Sequence, residues 1–285
     1  MRRALKWTFW LSAALLSFGM STPTFARDLS ASIRESEAAP AWTGFYAGLN
    51  LGYGWKDQSV HFSPHRITPI ISPQFSPLPS VGVGADSVNG GFQAGYNWQF
   101  NRNWLAGFEA DFSFSDMHGS GISRFNLGGL SMLPFSTAAE EKVNWFGTLR
   151  ARFGYLPTDN LLIYATAGFA YSRSKQSVSY NNYSSTPFIS NAGAFSSVCA
   201  AQAACFSGSS ARSATGWTAG GGAEFVLWRN VTLKAEYLFV SLDGNSFNAL
   251  ATEVYPGYEP ASMTASFDRT VLHVTRLGLN YRFQP

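Results

Sequence analysis

Ten charged side chains carry the chemistry open to this chain: Glu109, Asp111, Lys142, Arg150, Arg152, Glu224, Lys234, Glu236, Arg276 and Arg282. All fall in segments where two kinds of residue alternate. By parity each charge lies on the side of Gly, Asn and Thr, opposite a side of Phe, Trp, Tyr, Leu, Val and Ala. A soluble barrel has an apolar inside and a charged outside. The reverse arrangement fits strands whose oily face meets lipid and whose polar face lines a lumen. Carboxylates and cations gathered there have three uses: a salt-bridge network that fills the lumen, a narrow ion path, or paired carboxylates for acid–base work. The interior of an eight-stranded barrel is just wide enough for side chains to fill. A lone buried charge is costly, so the expected use is the network.

Other reactive types are sparse. Cys199 and Cys205 are the only cysteines, and in an exported chain their spacing predicts a loop disulfide. His61 and His65, four apart, and His118 fall between strands, where solvated histidines are common; a metal or haemin iron is the sharper use for His61 and His65. His273 faces lipid by parity, two residues from Thr275. Arg173, Lys175 and Arg212 sit at outer strand ends, where Arg-type donors suit lipopolysaccharide phosphates. Phosphate loops, His-Glu-x-x-His and paired Cys-x-x-Cys motifs are missing from the sequence, and no cofactor is expected. The glycine run 220–222 lies within a strand and reads as close packing.

The elements that place these residues are eight strands. The first runs through WTGFYAGLNLGYGW (42–55), with Phe45, Leu49, Leu51, Tyr53 and Trp55 on one face. The others are expected near 87–100, 104–115, 142–155, 161–172, 215–228, 231–242 and 269–283. Three short turns, near 101–103, 156–160 and 228–230, alternate with four long connections: 56–86, 116–141, 173–214 and 243–268. That asymmetry predicts an all-β fold: an eight-stranded antiparallel up-and-down transmembrane β-barrel with four long extracellular loops and three short periplasmic turns. Aromatics at both strand ends would form the two interfacial girdles.

Arg2, Arg3 and Lys6 precede an apolar run and a small-residue site ending at Ala26, which predicts a signal peptide over 1–26. A short periplasmic lead-in (27–41) and the barrel (42–285) follow. Removing the leader takes away three cations, leaving 17 Lys+Arg against 17 Asp+Glu. A neutral mature chain offers no concentrated basic face for nucleic acid.

The segments WTGFYAGLNLGYGW, GGFQAGYNWQF, WLAGFEADF, LKAEYLFVSL and RLGLNYRF resemble the small outer-membrane β-barrel proteins of alphaproteobacteria. These are the RopB-type surface proteins, which include haemin-binding members. The resemblance covers the mature chain apart from its loops and implies an eight-stranded barrel like the membrane domain of OmpA. Its implied role is a structural surface protein without catalysis, set in outer-membrane lipid and lipopolysaccharide. A small diffusion pore and a haemin- or host-binding receptor are the alternatives. The close at Tyr281 and Phe283 is similar to the terminal signal read by the barrel assembly machinery.

Overall fold

The computed structural model describes residues 42–66, 78–127 and 133–283. The expected signal peptide and lead-in lie outside these residues.

Eight strands form a closed ring. They are β1 (Gly44–Asp57), β4 (Ala85–Gln99), β5 (Trp104–Leu127), β6 (Leu133–Thr158), β7 (Leu161–Asn182), β10 (Ala204–Trp228), β11 (Val231–Leu242) and β15 (Thr270–Phe283). Each pairs antiparallel with its neighbours, and β15 pairs back onto β1. Closure leaves the spanning backbone no unpaired edge, the condition for crossing a bilayer with strands. The short turns fall where expected. In the first, the Asn101 side chain accepts from the backbone amides of Asn103 and Trp104 at 3.0 and 2.8 Å, which fixes the tight reversal.

The long connections differ from expectation. β5 and β6 have 24 and 26 residues, where a tilted membrane strand needs about 9–11. The surplus continues the sheet outward. Four further strands extend it from the upper part of β10: β12 (Asn245–Ala251), β14 (Ser262–Phe267), β2 (Ser59–Pro64) and β3 (Val81–Gly82). A small second sheet contains β8 (Phe188–Ala192), β9 (Phe195–Cys199) and β13 (Glu259–Pro260). Much of what reads as loop is therefore a folded extracellular extension. Of the connection expected over 56–86, residues 67–77 lie outside the described residues.

Polarity reverses along single strands. On β7 the even residues point inward throughout and the odd residues outward. The outward row runs Ile163, Ala165, Ala167, Phe169, Tyr171, then Arg173, Lys175, Ser177, Ser179. The inward row ends on Gln176, Val178, Tyr180 and Asn182. Below Tyr171 the outside is oily; above it the outside is polar and the inside gains the apolar Val178 and Tyr180. The switch follows the solvent, because apolar area is stabilised out of water whether lipid or a core receives it. Above the membrane, Val60, Phe62, Val81, Phe135, Val178, Tyr180, Phe206, Met263 and Phe267 form an apolar core. Burial there pushes the pKa of the Tyr180 phenol well above the usual range.

One irregularity sets which way the charges face. The β6–β7 register shifts between Val143 and Trp145, and the β5–β6 register between Phe114 and Met117. Below this bulge the even residues of β6 point inward (Phe146, Thr148, Arg150); above it Val143, Glu141 and Ala139 do. Lys142, expected in the lumen with Val143 outside, is thus turned out. A bulge adds a residue and reverses the parity beyond it.

Candidate functional site: a luminal charge layer and a cationic outer rim

The barrel interior is layered. Nearest the short turns, Trp42, Leu105, Leu156, Leu162 and Tyr164 pack together. Trp42 donates its indole N–H to the Asp159 carbonyl at 3.0 Å, and the Arg282 guanidinium lies over its ring at 4.7 Å. Arg282 therefore sits at this mouth, where it also donates to the Arg229 carbonyl at 2.8 Å.

The charge layer comes next. It contains four carboxylates (Glu109, Asp111, Glu224, Glu236) and four cations (Arg150, Arg152, Lys234, Arg276), all buried. Register places Glu109 opposite Arg150 and Glu236 opposite Arg276. Arg150 pairs with Glu109, with Asp111 at 3.0 Å and with Glu236 at 2.9 Å. Lys234 reaches both oxygens of Glu109 at 2.8 Å. Arg276 contacts Glu236 at 2.6 Å and Asp111 at 3.1 Å. Arg152 pairs with Glu224 and lies 3.8 Å from the centre of the Tyr164 ring.

Neutral donors complete the layer. The Tyr46 hydroxyl donates to Glu109 at 2.8 Å and that of Tyr164 to Glu236 at 3.1 Å. Thr148 donates to Asp111, Thr232 to Glu224, and Asn280 to Glu224 at 2.9 Å. Glycine makes room for the two phenols. A Cβ at Gly95 would collide with the Tyr46 hydroxyl, and one at Gly222 would lie 2.8 Å from that of Tyr164.

Above the charges lies a second apolar layer that includes Met117, Val143, Phe146, Leu238, Val240, Leu242, Leu272 and Val274. Above the membrane-facing band a further buried pair appears, Lys56 with Glu141, and Gln176 donates to Glu141 at 2.8 Å. Sequence reasoning missed this pair because it ended β1 at Trp55 and placed Glu141 in a loop. Continuing the alternation of β1 by one residue would have found Lys56.

The eight-charge layer has equal numbers of each sign and stands between two apolar layers. Every carboxylate in it faces a cation, and all eight side chains are buried. An acid–base pair would need an opening to substrate.

The outer rim holds the remaining candidates. Arg173 and Lys175 are exposed on β7, and Lys142 beside them forms an ion pair with Asp116 at 2.7 Å. Arg212 is engaged elsewhere: its guanidinium donates to the carbonyls of Gly244 and Asp243 at 2.7 and 3.0 Å. His61 contacts Asp268 at 3.1 Å. His61 is on β2 and His65 lies just past its end. His118 is exposed on β5. His273 lies on the outer wall, stacked on Trp55 at 5.4 Å, with the Tyr237 hydroxyl 2.6 Å from its Nδ1. Thr275 contacts the Tyr53 carbonyl instead, at 3.4 Å. Cys199 and Cys205 are joined in a disulfide in the extracellular extension. Tyr281 and Phe283 face outward, edge to face at 5.2 Å.

The family model for an outer membrane protein beta-barrel domain matches residues 12–283. The 31 kDa outer-membrane immunogenic protein of Brucella melitensis biotype 1 is 34% identical over 245 residues, covering 85% of this chain and 84% of that protein. The 25 kDa outer-membrane immunogenic protein of Brucella abortus biovar 1 is 27% identical over 291 residues, covering 99% of this chain and all (100%) of the other. Among solved structures, Ail, the attachment invasion locus protein of Yersinia pestis, matches at 16% identity and a TM-score of 0.33, covering 85% of this chain and 99% of that one. The two Brucella proteins carry outer-membrane, non-enzymatic names.

Proposed function

This chain belongs to the outer membrane protein β-barrel domain family of Gram-negative bacteria, and we propose that it acts there as a sealed scaffold. The barrel anchors the chain, supports the envelope and presents a folded β-extension to the outside; it catalyses nothing. The observation that carries this reading is the neutral charge layer closed above and below by apolar side chains. An ion entering it would have to pass two apolar clusters and then displace charges already paired, and both steps are costly. The outward Tyr281–Phe283 pair is the segment offered to the assembly machinery.

Recording from planar bilayers containing the purified full chain tests this reading. The expected trace is silent, and it stays silent in an Arg173→Gln/Lys175→Gln variant. Reproducible unitary conductance that changes with Glu236→Ala would replace the scaffold with a pore. A second arm uses intact cells. The two native cysteines are bonded to each other, so a maleimide reads only an introduced thiol. Ser246→Cys, exposed on β12, is expected to label from outside, and Asn101→Cys in a short turn is not. The opposite pattern would invert the orientation.

A further inference from the structure

On the outward face of β5, β6 and β7, the cations of the rim are gathered by strand register. Lys142 pairs directly with Lys175 on one side and with His118 on the other. Arg173 is two residues below Lys175 and opposite Trp145. Two lysines directly opposite across a strand pair have their Cβ atoms about 5 Å apart and destabilise the sheet by like charge. Asp116 answers Lys142, and Glu140 stands at the upper edge of the group, opposite Ser177. Neither Arg173 nor Lys175 makes an ion pair or side-chain hydrogen bond among the described residues.

The bulge creates this arrangement. With unbroken alternation Lys142 would point into the lumen. The extra residue aims it at Lys175, and bulges re-aim side chains in this way. The depth is also set. Directly beneath lie Trp145 and Tyr171, edge to face at 5.8 Å. Such aromatic pairs mark the membrane–water interface. Below them the outward wall is oily through Phe169 and Leu149. A ligand that fits carries acyl chains below the aromatics and an anion just above them.

We propose that Lys142, Arg173 and Lys175 form a binding site for the phosphate of an acylated, phosphorylated glycolipid of the outer leaflet, which bridges the opposed lysines. Arg173 supplies the forked donor that matches phosphate oxygens, and the lysines supply point charges. Arg212 is outside this site because backbone carbonyls hold it. The inference needs only the outer-membrane placement of the chain and is independent of whether the lumen conducts.

The test uses the full chain in detergent micelles and fluorescent lipid A bearing its phosphates. Lys142→Gln/Arg173→Gln/Lys175→Gln is expected to bind roughly tenfold or more weakly. Arg212→Gln should stay within about twofold, as for a cation already engaged. Lys142→Arg/Lys175→Arg, which keeps the charge, should bind as the unchanged chain does, and unchanged urea unfolding of the triple variant in lipid vesicles shows that its loss is of charge rather than of fold. Dephosphorylated lipid A should bind as weakly to the unchanged chain as the phosphorylated form binds to the triple variant. Equal binding of phosphorylated and dephosphorylated lipid, or unchanged binding by the triple variant, overturns the site. Full displacement of lipid A by millimolar inorganic phosphate overturns the glycolipid assignment in favour of a free-anion site. Silent bilayers alongside any of these results leave the scaffold standing and reject this inference alone.

Discussion

Glu109→Leu is expected to destabilise the folded barrel by about 3–5 kcal/mol, the cost of leaving buried partners uncompensated. Glu109 receives Lys234 through both oxygens, pairs with Arg150 and accepts from Tyr46. Removing it leaves four cations facing three carboxylates in a layer without exposed members. The charge-balanced variant Glu109→Gln/Lys234→Met should lose less, because it removes one charge of each sign. Urea unfolding in lipid vesicles, followed by tryptophan emission, reads both. A loss under about 1 kcal/mol for Glu109→Leu would mean that the layer is hydrated and the paired geometry contributes little.

The second large effect concerns where lipid ends and water begins. Phe108 and Ser120 both point outward on β5. Phe108 belongs to the oily band, stacked against Tyr96 at 6.2 Å, while Ser120 lies opposite Glu140 in the extension. Phe108→Arg should cost about 2–4 kcal/mol if it lies near the bilayer midplane, and Ser120→Arg about 0–1 kcal/mol. The same unfolding experiment compares them. Equal costs would place both positions in one solvent and remove the boundary drawn at Tyr171 on β7.

The sequence makes the membrane half of this fold legible because lipid imposes a strict rule. Period-two alternation fixes the face of every residue from Phe45 to Trp55 and from Thr275 to Phe283. The upper half is harder to read for a physical reason. Once the strands leave lipid, the polarity of their two faces exchanges, so the Ser-Val-Ser-Tyr stretch at 177–180 alternates as regularly as any membrane strand with its signs reversed. A search for oily outsides reads it as loop. Bulges are the second obstacle. Nothing in Lys142-Val143-Asn144-Trp145 announces an extra residue, yet it moves Lys142 from the lumen to the rim and brings Val143 inside. Arg212 shows a third limit. Alternation places it at a strand end, whereas it lies within β10, and its engagement by the carbonyls at 243 and 244 depends on a chain reversal that alternation does not encode.

A nitroxide scan of β7 from Ile163 to Asn181, in lipid vesicles, tests the central claim most directly by comparing relaxation by oxygen, which concentrates in lipid, with relaxation by a water-soluble nickel chelate. Odd positions should be oxygen-accessible through Tyr171 and nickel-accessible from Arg173 upward, with even positions shielded from both along the whole strand. Even positions between Leu162 and Gln176 open to nickel, or odd positions that show no exchange of solvent near 171–173, would contradict a sealed barrel that passes from lipid into water at that level.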